Sequence, residues 1–197
     1  MRNKWYSDNR DLIKWSVLLL LARRADADRI IQFAFLNPSD FGQIEIDGEP
    51  HEIPSEVLTH FRNLRNVTRL SSHPRISVFD CAFRNRDSYL RAALNYVASF
   101  SQERCVVFLD PDTGLEPNGG GDTKHVLENE VLAFWDALPH GTIFVFYQHE
   151  TNKAGKPWIE DKRTQLANAI GVPIETIGVA SGPKIAKDVV FFYASKA

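Results

Sequence analysis

One stretch near the middle of the chain constrains the fold more than any other. It runs from Arg104 to Glu116 and reads Arg-Cys-Val-Val-Phe-Leu-Asp-Pro-Asp-Thr-Gly-Leu-Glu. The five apolar residues, with no polar break, predict a strand that is covered on both faces, as strands of a parallel sheet are. Pro111 cannot donate to a strand ladder and Gly114 allows a positive φ, so the chain is predicted to turn here.

The predicted turn after this strand carries several carboxylates. Asp110, Asp112 and Glu116 would be delivered to the carboxyl end of a buried strand, where open α/β sheets bind ligands. Asp, Pro and Gly are also ordinary turn residues, so a purely structural turn is the alternative interpretation. If the carboxylate is functional, we expect Asp110→Asn to abolish activity while leaving the melting temperature nearly unchanged.

Composition indicates one globular domain over residues 1–197. The chain is 44% hydrophobic and 24% charged. Its net charge is −2, so it has no overall positive charge that would indicate binding to nucleic acid or to an anionic membrane surface. The longest apolar run, 17–22, is too short to cross a bilayer and has no signal-peptide pattern around it, so we expect a cytoplasmic protein. Cys81 and Cys105 lie in apolar runs and are predicted to be buried and reduced.

Apolar periodicity predicts strands and helices in alternation. The predicted helices are 8–24, 54–66, 86–100, 122–138 and 158–170, and the predicted strands are 29–36, 75–81, 104–110 and 141–147. Asp47-Gly48 predicts a hairpin inserted at about 42–54, which Pro50 would confine to an edge. Two final strands, 174–179 and 188–193, are joined too closely for a crossover helix. The predicted fold class is therefore α/β, a doubly wound, mostly parallel, Rossmann-like sheet with an antiparallel C-terminal strand pair.

Other polar residues fall at predicted helix starts and strand ends. Lys124 is predicted in the first turn of a helix, where its charge opposes the helix dipole and favours an anionic partner nearby. His149 follows a strand predicted to neighbour the one that ends at Asp110, and either a structural or an acid–base role fits it. Asp11 and Lys14 are three residues apart, and this spacing alone favours an exposed ion pair of little energetic weight.

Two segments resemble methyltransferases that use S-adenosylmethionine. Residues 6–21 resemble the N-terminal helix of the large-subunit ribosomal RNA adenine-N6 methyltransferases, whose Asp-x-x-Lys, here Asp11 and Lys14, lies beside the cofactor. The segment 107–112 is similar to their Asp-Pro-Pro-Tyr motif, which holds the target amino group, and to a Leu-Asp-Pro segment of three-Cys-motif partner proteins. A bacterial protein group shares the Asp-Pro-Asp-Thr-Gly-Leu-Glu centre and the Lys-His-Val and Tyr-Gln-His segments that follow it.

This resemblance implies a class I methyltransferase fold and methyl transfer from S-adenosylmethionine to nucleic acid. The residues implied in cofactor binding are Tyr6, Asp11, Lys14 and Asn37. The residues implied in catalysis are Asp110, Asp112, Lys124 and His149, with Asp110 accepting hydrogen bonds from a target amine.

Two other functions fit the same region. Asp110, Asp112 and Glu116 supply hard oxygen ligands suited to Mg²⁺ or Mn²⁺, so a metal-dependent nuclease or phosphohydrolase is the first alternative. The Glu-x-Lys that completes a common nuclease motif is not in place, because Pro117 and Asn118 follow Glu116. The second alternative is a non-enzymatic module that keeps the methyltransferase fold.

Overall fold

The structure, a computed structural model, describes residues 8–37, 42–117, 120–151 and 157–197. The α-helices are α1 (Asn9–Arg24), α2 (Ser55–Arg62), α3 (Arg86–Ala98), α4 (Glu128–Ala137) and α5 (Ile159–Ile170). The strands are β1 (Arg29–Phe33), β2 (Gln43–Ile46), β3 (Glu49–Glu52), β4 (Arg75–Phe79), β5 (Cys105–Leu109), β6 (Gly114–Leu115), β7 (His125–Val126), β8 (Ile143–His149), β9 (Gly178–Gly182) and β10 (Ala186–Ser195). Short 3₁₀ helices cover Leu64–Leu70 and Ile174–Thr176.

The main sheet has the strand order β4-β1-β5-β8-β10-β9. Neighbours from β4 to β8 pair in parallel, whereas β10 pairs antiparallel with both β8 and β9. The predicted fold class is therefore confirmed. The chain leaves β1 for β4 on one side and returns to β5 on the other, so the strand order reverses between β1 and β5. In doubly wound sheets, the crevice at the carboxyl ends of two such strands is the expected ligand site.

Two apolar layers cover the sheet. Side chains of alternate residues on β5 enter different layers, with Val107 and Leu109 on the side of α3, α4 and α5 and with Val106 and Phe108 on the side of α1. All five residues of β5 are buried, as the unbroken apolar run predicts. No helix in the described part of the chain is long and apolar enough to cross a membrane.

Helix α1 forms where it was predicted, and it turns two charged residues inward together with apolar ones. Asp8 caps the helix by accepting hydrogen bonds from the backbone amides of Arg10 and Asp11. Leu12 is 58% exposed, whereas Asp11 and Lys14 are buried. Apolar residues lie on most sides of α1, so the apolar pattern alone could not predict which side faces the sheet. The charged pair on the inward side, Asp11 and Lys14, has buried partners.

The segment before α4 contradicts the prediction of a helix from 122 or 123. Helix α4 begins only at Glu128, and β7 pairs in parallel with β6. The amide of Thr113 donates to Lys124 O at 3.0 Å and the amide of Glu116 donates to Val126 O at 3.0 Å. Residues 123–124 form a turn and only 125–126 are extended, so Lys124 is not in a helical first turn and the dipole argument for its partner does not apply.

Three smaller predictions need correction. The second α-helix ends at Arg62, because Asn63 leaves the helical conformation, and a separate 3₁₀ helix follows it. Residues 174–176 form a 3₁₀ turn, so the penultimate strand begins later, at Gly178. Cys81 is exposed because β4 has already ended at Phe79, whereas Cys105 is buried as predicted.

The inserted hairpin is present as predicted. Strands β2 and β3 pair antiparallel as a separate two-stranded sheet. Asp47 and Gly48 have φ values of 54° and 86°, the positive pair that a tight two-residue hairpin turn requires.

Candidate functional site

A buried ion pair lies at the strand reversal between β1 and β5. Lys14 Nζ is 2.8 Å from Asp11 Oδ1 and 2.9 Å from Asp110 Oδ2. Lys14 is 4% exposed, Asp11 7% and Asp110 2%. The prediction of an exposed Asp11–Lys14 pair is therefore wrong, because residues three apart on a helix share a face and here that face packs on the end of β5. Two segments identified separately in the sequence meet at this pair.

Gln32 completes the cluster, and sequence reasoning missed it. Its Nε2 donates to Asp110 Oδ2 at 2.7 Å, and the residue is fully buried in β1. Its Oε1 is buried and has no hydrogen-bond partner in the described structure. The available signal was a single amide residue inside the otherwise apolar second half of β1, Ile-Ile-Gln-Phe. Because a buried polar atom is costly without a partner, an orphaned acceptor at a strand reversal points to a missing donor.

The electrostatics of the cluster keep Lys14 charged. Burial alone would lower the pKa of Lys14, but the negative charges of Asp110 and Asp11 outweigh it and raise that pKa. The Lys14 ammonium also lies 5.6 Å from the ring centroid of Tyr147 on β8, within cation–π range. Burial raises the pKa of the Tyr147 hydroxyl as well, so the phenol stays neutral beside the charged cluster.

A second polar group lies at the same edge, centred on Asp188. Asp188 Oδ2 contacts Arg10 of α1 and lies 3.1 Å from His149 Nε2 at the end of β8. The hydrogen bond from Arg10 lowers the pKa of Asp188. Arg10 Nε, although buried, has no partner in the described structure. The sequence predicts a role for His149 but for neither Arg10 nor Asp188, because the contact between these two joins residues 178 positions apart.

The contacts of His149 restrict the acid–base role predicted for it. His149 Nδ1 lies 3.1 Å from Glu150 O, and its Nε2 faces the Asp188 carboxylate. Both neighbours are acceptors, and a neutral imidazole has only one N–H to donate. For His149 to accept a proton from a substrate, one of these two contacts has to open.

The loop after β5 is fixed against β8 by Gln148. Gln148 Oε1 accepts the backbone amide of Leu115 at 2.9 Å, and its Nε2 donates to His149 O at 2.8 Å. Gly114 has a φ of +134°, and a Cβ there would lie 2.3 Å from Gln148 Oε1. Only glycine fits that close approach. The Asp-Pro-Asp-Thr-Gly turn is thus held at one position on the carboxyl edge.

The predicted metal triad is not assembled. Among the described residues, no group of three His, Cys, Asp or Glu side chains is placed to hold a metal ion. Asp110 is bound by Lys14 and Gln32, and Glu116 Oε1 accepts the backbone amide of Glu128 at 2.8 Å, at the start of α4. The triad was predicted because its members are close in sequence, but β6 carries Glu116 away from the end of β5.

The remaining predicted site residues are dispersed. Asn37 Nδ2 donates to Thr123 O at 2.9 Å, which ties the segment after β1 to the segment before β7. Lys124 is a surface residue whose Nζ lies 3.9 Å from Asp122. Tyr6 lies outside the described residues. The structure therefore brings together Asp11, Lys14 and Asp110 with Gln32, and a second group forms around Asp188.

Comparisons with known proteins concern the fold. No protein-family model and no curated protein matches the sequence. The structure is similar to that of a candidate methyltransferase from Thermobifida fusca YX, with 16% identity, a TM-score of 0.45 and coverage of 95% of this chain and 80% of that one. It is also similar to the methyltransferase domain of bacterial CtHen1-CN, with 12% identity, a TM-score of 0.38 and coverage of 94% and 98%. At these identities function has to be argued from this chain's own residues.

Proposed function

We propose that this protein is a methyltransferase-like enzyme that binds S-adenosylmethionine at the carboxyl edge of the sheet, beside the start of α1 and the ends of β1 and β5. One observation carries the proposal. The two segments that resemble methyltransferase motifs, Asp11-x-x-Lys14 and Asp110-Pro-Asp112, meet through buried contacts of 2.8 and 2.9 Å to Lys14 Nζ. They meet at the strand reversal, where doubly wound folds bind ligands.

The orphaned polar atoms are of the chemical types that the methionine end of this cofactor requires. That end is a zwitterion with a carboxylate and an ammonium group. Arg10 Nε is an unused buried donor suited to a carboxylate, and Gln32 Oε1 is an unused buried acceptor suited to an ammonium. Arg10 lies one helical turn before Lys14, whose ammonium shares the Asp110 carboxylate with Gln32. For the adenosine end, the sequence from 34 to 42 offers only Gly42 where a dinucleotide turn has several glycines.

When bound, S-adenosylmethionine supplies an electrophilic methyl group on a sulfonium. The chain's contribution is position rather than strong acid or base chemistry. Lys14 and Gln32 fix the Asp110 carboxylate, and Gln148 fixes the loop that carries Asp112. Catalytic roles for Asp110, Asp112, Lys124 and His149 remain predictions, as does nucleic acid as the methyl acceptor.

Calorimetric titration with S-adenosylmethionine tests the proposal. The informative variant is Arg10→Lys, which keeps a cation beside Asp188 but removes the Nε donor. We expect the wild type to bind and the variant to bind about tenfold more weakly, as loss of a charge-assisted hydrogen bond predicts.

The matched control is Arg29→Lys at the opposite end of the same sheet, where Arg29 Nε binds Glu103 Oε2 at 2.8 Å. This variant should bind the cofactor as the wild type does. Absence of binding by the wild type, or equal weakening in both variants, would contradict a cofactor site at the carboxyl edge.

A further inference from the structure

The hairpin formed by β2 and β3 stands apart from the rest of the molecule. Every residue of both strands is exposed. Ile44 and Ile46, which share one face of β2, are 47% and 51% exposed. An isolated two-stranded hairpin is only marginally stable in water, and a third strand or a covering layer is what usually stabilises one. The hairpin therefore has the features of an element that a partner completes.

The backbone of β2 has an open edge. Ile53 N donates to Gly42 O at 2.7 Å, and the register pairs Ile44 with His51 and Ile46 with Glu49. Since hydrogen-bonded and non-hydrogen-bonded pairs alternate in an antiparallel ladder, the peptide groups of Gln43 and Glu45 point away from β3.

The two edges of the hairpin are not equivalent. Strand β2 belongs to no other sheet in the described structure, so its outer edge has no strand beside it. The outer edge of β3 carries Pro50, opposite Glu45, and proline has no N–H to offer a further strand. Of the two edges, β2 is the one that can accept a full ladder.

The charge of the hairpin selects the partner. Between Gly42 and Ile53 there are four carboxylates and neither lysine nor arginine. The carboxylates are Glu45, Asp47, Glu49 and Glu52. Nucleic acid is disfavoured here because its phosphates would meet this negative charge. Pairing of β2 with a second copy of itself is disfavoured for the same reason, since like charges would face one another across the ladder.

We infer that the open edge of β2 binds an extended, basic polypeptide segment as a third strand. Main-chain hydrogen bonds to Gln43 and Glu45 supply affinity, Ile44 and Ile46 contact apolar side chains, and the carboxylates select lysine or arginine. The hairpin follows β1 on the chain, so the bound segment would arrive at the carboxyl edge of the sheet. Binding by this edge does not depend on methyl transfer.

The test is fluorescence anisotropy with the full chain and a labelled octapeptide of alternating lysine and valine. We expect saturable binding, at least tenfold weakened by Glu45→Pro. Proline at this position removes the outward N–H yet sits in the same pair of the ladder as Pro50, so the hairpin can tolerate it. Glu45→Lys, which keeps the backbone and reverses the charge, should weaken binding to a similar extent.

Two control ligands separate strand addition from charge attraction. An octapeptide with the same sequence but methylated on every backbone nitrogen should bind at least tenfold more weakly, because neither of its edges can donate to the ladder. A single-stranded oligouridylate should not bind the hairpin. Equal binding of both peptides, binding unaffected by either Glu45 variant, or oligouridylate binding that these variants abolish would each overturn the inference. So would a dimer of the unliganded chain that Glu45→Pro dissociates.

Discussion

At the residue scale, the central feature is that Lys14 is buried between two carboxylates. A buried ion pair is weak evidence for stability as a whole, but breaking one by removing a single partner is costly, because the other charge stays buried and uncompensated. This changes the expectation for Asp110. With Asp110 2% exposed and bound by Lys14 and Gln32, a substitution there should lower stability as well as any activity.

A double-mutant cycle on Lys14 and Asp110 measures this coupling. We expect Lys14→Met and Asp110→Leu each to lower the free energy of unfolding by about 3 kcal/mol. The double variant should lose less than the sum, because it removes Lys14 and Asp110 together and leaves Asp11 as the one remaining charge of the three. Urea unfolding of the four proteins gives the coupling energy.

The matched control cycle uses Arg104 and Asp26, an ion pair at 2.7 Å whose side chains are 58% and 77% exposed. Its coupling energy should be below about 1 kcal/mol. A Lys14–Asp110 coupling no larger than that of this surface pair would show that the buried cluster is energetically unimportant.

At the scale of elements, sequence patterns identified most helices and strands, but not the contacts between them. Helix α1 was predictable because Asp8 is a good cap and Arg23 and Arg24 suit its last turn. The start of α4 was not predictable, because the extended conformation of 125–126 depends on pairing with β6. Likewise, no local sequence pattern relates Arg10 to Asp188. The contacts of Asp188 with Arg10 and His149 join the start of β10 to α1 and to the end of β8.

This junction, formed by Asp188 with Arg10 and His149, should make the free energy of unfolding depend on pH. The pKa of Asp188 is lowered in the folded protein by its hydrogen bond from Arg10. Asp188 therefore stabilises the fold at pH values above its pKa in the unfolded chain, about 4. This contribution is lost as the pH falls through its lower pKa in the folded protein. We expect Asp188→Asn to cost about 2 kcal/mol at pH 7. The difference from the wild type should shrink as the pH falls below about 4.

Urea unfolding at pH 7 and at lower pH checks this dependence. Asp26→Asn, an exposed carboxylate at the opposite edge, serves as the control and should cost little at pH 7. A cost of Asp188→Asn that is the same at both pH values would mean that the Arg10–Asp188 contact does not hold the junction together.

At the scale of the whole molecule, the fold class followed from the alternation of elements and from the short link between the last two strands. The carboxyl edge of the sheet was predictable as the functional edge, since Asp110 ends a buried strand. The composition of the cluster was only partly predictable. Gln32 and Arg10 became visible as site residues only through atoms that are buried and unpaired in three dimensions.

The central claim is that the carboxyl edge beside α1 and β5 is the ligand site. Hydrogen–deuterium exchange with and without S-adenosylmethionine tests it most directly, because it reports where the cofactor acts. We predict slower exchange of backbone amides at residues 8–14 and 109–113, and no change at the opposite edge, residues 26–29 and 103–105. Protection at the opposite edge, or no protection anywhere at high cofactor concentration, would contradict the claim.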